Sequence, residues 1–98
     1  MYSPTYIQNT AEAIIRSYDF GNLLAEDENI STAAGVAVDQ NGNDESTLVT
    51  IDSFGSKIVN YKVASGGTNG DILKITLTIT TTHSNTRKGY VYVHLSNK

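Results

Sequence analysis

The stretch ILKITLTIT, residues 72–80, decides the reading of this chain. Leu73, Ile75, Leu77 and Ile79 occupy its odd positions, and Lys74, Thr76, Thr78 and Thr80 its even ones. Strict alternation over this length is the period of a strand with one face in a core and the other in water. Its β-branched residues suit a pleated surface. Toward the C-terminus, TTHSNTR (81–87) reads as a turn. A second alternating run follows at 88–95, with Val91, Val93 and Leu95 inward and Tyr90, Tyr92 and His94 outward. Toward the N-terminus, SGGTNGD (65–71) could be a phosphate cradle or a corner. A P-loop needs a lysine after its last glycine and then a helix. Here Asp71 follows Gly70 and a strand follows that, so the loop reads as a strand connection, with glycine supplying positive φ.

The same alternation recurs upstream. Residues 13–20 carry Ile14, Tyr18 and Phe20 on one side, with Arg16 out of pattern. GNLLAEDEN (21–29) reads as a short turn of helix with Leu23 and Leu24 buried. ISTAAGVAV (30–38) places Ile30, Ala34, Val36 and Val38 at even positions, and these are expected inward. DQNGNDES (39–46) is a turn cluster. Residues 48–51 and 57–63 are further short strands, the latter with Val59, Tyr61 and Val63 on one face. Six to seven short strands, regular turn signals and no convincing helix predict an all-β, immunoglobulin-like antiparallel sandwich. Its expected core is Ile14, Tyr18, Phe20, Leu24, Ile30, Val36, Val49, Val59, Tyr61, Val63 and the inward residues of the last two strands. Pro4 and the polar character of MYSPTYIQNT disfavour helix at the start. Residues 1–11 are therefore expected as an extended N-terminal arm, either loose or lying on a neighbouring subunit, and residues 12–98 as the sandwich domain.

With 98 residues the chain makes one domain. It has no cysteine, which excludes a disulfide framework and a thiolate metal site. A formal charge of −3 supplies no basic footprint for nucleic acid. No apolar run approaches the roughly 20 residues of a membrane-spanning helix, and the first residues lack the pattern of a signal peptide. In DQNGNDES, Asp39, Asn41 and Asn43 have the spacing of the first ligands of a calcium loop. The glycine falls at 42 rather than 44, and Thr50 stands where the bidentate glutamate belongs, so a calcium-binding helix–loop–helix is rejected. His83 and His94 have no carboxylate or cysteine pattern beside them. No serine sits in a nucleophile elbow. The expectation is a non-enzymatic protein with no cofactor and no metal. The outward stripe Tyr90, Tyr92 and His94, with Tyr2 and Tyr6 in the arm, forms the candidate partner-binding set, because exposed aromatics are enriched at protein interfaces.

In order along the chain come Tyr18-Asp19-Phe20, Leu23-Leu24, Glu28 with Ile30-Ser31-Thr32, Ser65-Gly66-Gly67-Thr68-Asn69-Gly70-Asp71, Ile79-Thr80-Thr81 and Arg87. This order resembles the small immunoglobulin-like proteins of tailed bacteriophages known as fibre-to-tail adaptors, over about residues 12 to 96. The chain departs from them in having no tryptophan, and in Lys62-Val63-Ala64 before the glycine loop. The resemblance implies a virion structural protein, assembled in the host bacterial cytoplasm, that joins fibres or other appendages to the tail in multiple symmetric copies. Its partners would be other phage structural proteins, with no nucleic acid or membrane. The alternatives are a capsid decoration protein bound to the major capsid protein, and a glycan- or host-binding module.

Overall fold

The structure, a computed structural model, describes residues 4–97. Seven strands form two sheets: β1 (Thr5–Gln8), β2 (Ile14–Asp19), β3 (Ile30–Val38), β4 (Val49–Phe54), β5 (Ile58–Val63), β6 (Ile72–Thr81) and β7 (Thr86–Leu95). One sheet has the order β1-β7-β6-β3 and the other β2-β5-β4. The described residues include no α-helix, only short 3-10 turns at Gly21–Leu23 and Ser46–Leu48. The second, fifth and fourth strands share one sheet and the third, sixth and seventh the other, as B, E, D and C, F, G do in immunoglobulin domains. All pairings are antiparallel except β1 with β7, which is parallel.

The alternation that predicts β6 and β7 also builds the core. Leu73, Ile75, Leu77, Ile79, Val91, Val93 and Leu95 are fully buried, facing Val59, Tyr61 and Val63 of β5 and Phe20. Ile14, Tyr18 and Leu24 are only half-buried at its margin. Arg16, out of pattern by sequence, has a reason to point inward at the edge. Its Nη1 donates to Gln8 Oε1 at 2.8 Å, and its guanidinium lies 4.6 Å from the Tyr6 ring centroid.

Two expectations are corrected. The even-position face of β3 is not the core face. Ile30 is buried, but an irregularity in the β3–β6 register between Ile30 and Thr32 reverses the phase, so Ala33, Gly35 and Ala37 face inward. Val36 is 52% exposed, whereas Ala37 is buried. Small residues are needed on that face because the sheets approach closely. A Cβ on Gly35 would stand 3.0 Å from Val49 Cγ1 and 3.4 Å from Ile51 Cδ1. The second concerns the N-terminal segment. Residues 5–8 are extended, as expected of an arm, but they lie on the chain's own β7, with Tyr6 opposite Val93 and Gln8 opposite Leu95.

Gln8 fixes that strand. Its side chain is buried, and Nε2 donates to the carbonyls of Glu12 at 2.9 Å and Val63 at 3.0 Å while Oε1 accepts from Arg16. One buried amide thus ties β1 to β2 and β5, with its polar groups satisfied. The glycine loop connects β5 in one sheet to β6 in the other. Gly66, Gly67 and Gly70 have φ of 131°, 80° and 95°. Its amides serve backbone rather than anions: Gly66 N–H donates to Thr10 O and Gly70 N–H to Leu95 O, each at 2.7 Å.

Candidate docking face and its surroundings

The outward residues of the four-stranded sheet follow from the register. Across the sheet run Ile7, His94 and Ile72; then Thr5, Tyr92, Lys74 and Val38; then Tyr90, Thr76 and Val36; then Lys88, Thr78 and Ala34. Tyr90, Tyr92 and His94 therefore stand in one column, as the alternation predicts. His94 is exposed and the two tyrosines are half-buried by their neighbours. The Lys74 ammonium lies 4.9 Å from the Tyr90 ring centroid, which holds the ring against the sheet. Ile7, Ile72, Val36 and Val38 remain exposed around the column, Ile7 at 71%. Lys74 and Thr76 stand between the column and Val36 and Val38, so the face mixes aromatic, aliphatic and basic side chains.

Sequence reasoning found the column but not its aliphatic surround. Ile72 was legible, because it holds an even, outward position ahead of the alternating run. Ile7 falls in the N-terminal segment, outside the strand pattern, and Val36 and Val38 share the phase of Ile30 because the shift in β3 register leaves no local mark in ISTAAGVAV.

Tyr6 is not on this face. It points toward the β2 edge, beneath Arg16, and lines a cleft of about 370 Å³ with Pro4, Ser17, Tyr18, Asp19, Asn22 and Leu23. Tyr2 lies outside the described residues. The outer face of the three-stranded sheet also exposes Ile15 and Ile58, but among the described residues it has no aromatic column and is crossed by side-chain hydrogen bonds. Ser17 Oγ donates to Asn60 Oδ1 at 2.6 Å, and Asn60 Nδ2 donates to Ser53 Oγ at 2.9 Å, a polar ladder across its strands.

The acids are engaged mainly in loops. Glu28 is buried and its carboxylate accepts from Thr81 Oγ1 at 2.5 Å, Asn85 Nδ2 at 2.9 Å and the Ala25 amide at 3.1 Å. These donors, the Thr81 hydroxyl foremost, hold its pKa down at about 2. Lys57 Nζ donates to the carbonyls of Ala25 at 2.8 Å, Glu26 at 3.3 Å and Glu28, closing the same loop from the other side. His83 Nε2 lies 3.6 Å from Asp27 Oδ1, in the same region. Asp39 turns into its own loop, where Oδ1 accepts the amides of Asn41 at 2.8 Å and Asn43 at 3.0 Å. The Asn43 amide leads the donors that lower its pKa. The carboxylate read as a first calcium ligand is thus an acceptor for its own turn. Among the described residues no group of three or more His, Cys, Asp or Glu side chains is placed to hold a metal ion. Tyr61 is fully buried, its hydroxyl has no hydrogen-bond partner among the described residues, and burial pushes its pKa up to about 12.

The family described as podophage GP4 fiber-tail adaptor protein gp77 matches residues 8–94, most of the chain. No curated protein matches it.

Proposed function

Starting from the chain's membership of the podophage GP4 fiber-tail adaptor family, a structural component of the phage virion, we propose that it joins a fibre to the tail by protein–protein contacts alone, without catalysis. The observation that carries this reading is the outer face of the β1-β7-β6-β3 sheet. There Tyr90, Tyr92 and His94 form a column surrounded by exposed aliphatic side chains. An adaptor needs a rigid body with separated surfaces. Two sheets locked through a fully buried aliphatic and aromatic core supply the rigid body. The column takes one partner. The second surface is the N-terminal end, where Tyr6 lines the β1–β2 cleft and Tyr2 precedes it in sequence. The chain is assembled with other tail and fibre proteins in the host cytoplasm, in symmetric copies.

The test is complementation of a phage lacking the gene. A Tyr90→Ser, Tyr92→Ser, His94→Ala variant is expected to fold with a wild-type melt, because these side chains lie outside the core. It is expected to be missing from purified particles, which then lack fibres. Normal incorporation and fibre number with that variant would refute the assignment of the face.

A further inference from the structure

The outer face of the four-stranded sheet is also distinguished by its charge. The chain has ten acids and a formal charge of −3. Yet the outward positions of β1, β7, β6 and β3 carry Lys88, Lys74 and His94 and no acid. The three-stranded sheet differs: its exposed residues include Asp19 and Asp52 as well as Lys62. The nearest acids to the face are Asp39, one residue beyond Val38, Asp44, bridged to Val38 across the following turn, and Asp71, one residue ahead of Ile72. None of these carboxylates is free of local partners: Asp44 Oδ1 accepts from the Ser46 amide at 2.9 Å. Asp39 accepts the amides of its own loop, and Asp71 Oδ1 accepts from Gln40 Nε2 at 3.1 Å. An acidic protein that keeps one apolar, aromatic face clear of acid is complementary to another acidic surface only through that face.

Resting on the docking reading above, we propose that this face recognises an acidic protein surface of the tail. The partner surface would have an apolar centre that covers Ile7, Ile72, Val36 and Tyr92. Its carboxylates would stand opposite Lys74, which lies among these residues, and Lys88, one row beyond Tyr90. The aliphatic and tyrosine area supplies the desolvated centre of the contact. The lysines steer encounter and fix orientation through their charge. The net negative charge elsewhere on the chain then disfavours docking by any other face.

The experiment uses tail particles assembled without this chain, immobilised, with the full-length protein in solution at about 50 and about 200 mM salt. Lys74→Glu/Lys88→Glu is expected to slow association by about tenfold or more at the lower salt and to abolish its salt dependence. Lys88→Glu alone, which leaves the Lys74–Tyr90 contact in place, is expected to show part of the loss. Lys62→Glu makes the same change of charge on the opposite sheet and is expected to stay within about twofold of wild type. Thermal melts establish that all variants are folded. If Lys62→Glu slows association as much as Lys88→Glu, the effect belongs to net charge and the proposal is overturned. If the charge variants bind as wild type does while the Tyr90/Tyr92/His94 variant does not, the docking face stands and the acidic partner is refuted. If wild-type protein does not bind the particles at all, the docking reading itself fails.

Discussion

Replacing Gly89 tests how the two sheets are locked together. Gly89 lies in β7 opposite Leu77, is buried, and has no positive φ, so backbone freedom is not its purpose. What it supplies is space. A Cβ there would stand 2.5 Å from Cε1 and Cζ of Tyr18 and 2.9 Å from its hydroxyl. Carbon atoms pack best at about 3.5–4.0 Å, so the ring must retreat by about 1 Å or more. It cannot retreat freely, because it lies 4.7 Å from the fully buried Phe20 ring at a 51° tilt. Overpacking of this kind costs about 1–3 kcal/mol. Expelling the ring instead forfeits an aromatic pair worth about 0.5–1.5 kcal/mol and some burial. Gly→Ala in a strand returns about 0.5–1 kcal/mol of backbone entropy. The net expectation for Gly89→Ala is a loss of about 1 kcal/mol, within a range of about 0–2.5 kcal/mol, from the difference of these terms. At about 4–8 °C per kcal/mol, Tm should fall by roughly 4–8 °C. In a Tyr18→Ala background the same substitution should be neutral or stabilising, giving a coupling of about 1 kcal/mol or more in a double-mutant cycle. The assay is urea unfolding of the four proteins. A raised stability for Gly89→Ala in the wild-type background would refute the packing account.

Gln8→Ala should destabilise by about 2–3 kcal/mol in urea unfolding, because the carbonyls of Glu12 and Val63 and the Arg16 guanidinium lose a buried partner. Deleting residues 1–10 should cost at least as much; an unchanged melt would mean that β1 is not part of the stable fold. Glu28 has a folded pKa of about 2 against an ordinary value of 4.5. Its contribution to stability is therefore complete above about pH 4.5 and is lost as the pH falls toward 2. The stability difference between wild type and Glu28→Gln should shrink across that window, and a difference independent of pH would contradict the assigned hydrogen bonds. Tyr61→Phe should leave the protein equally or more stable, by up to about 1–3 kcal/mol, because it removes a buried hydroxyl that has no partner. A clear destabilisation would show that the hydroxyl is bonded.

Much of the fold was legible because one signal dominates it. Period-two alternation in residues 72–80 and 88–95 yielded both central strands, their inward faces and the Tyr90/Tyr92/His94 column. The glycine loop read correctly as a corner, because Asp71 and a following strand are incompatible with a phosphate site. Three features were hidden for physical reasons. The phase of β3 depends on an irregularity in its pairing with β6, and ISTAAGVAV is small or apolar at nearly every position, so either face reads as inward. Strand β1 is four residues long and is held by its pairing with β7 and by the contacts of Gln8, none of which is local. Arg16 reads as an error in an alternating pattern until Tyr6 and Gln8 are brought to it by the fold. The charge segregation that distinguishes the docking face likewise exists only once four strands, distant in sequence, lie side by side.

The most direct test of the central claim is a cryo-electron microscopy reconstruction of the intact virion. Sandwich density is expected at the junction of fibre and tail, with the face bearing Tyr90, Tyr92 and His94 buried against a neighbouring protein. Sandwich density on the capsid shell, or at the tail with that face open to solvent, would contradict it.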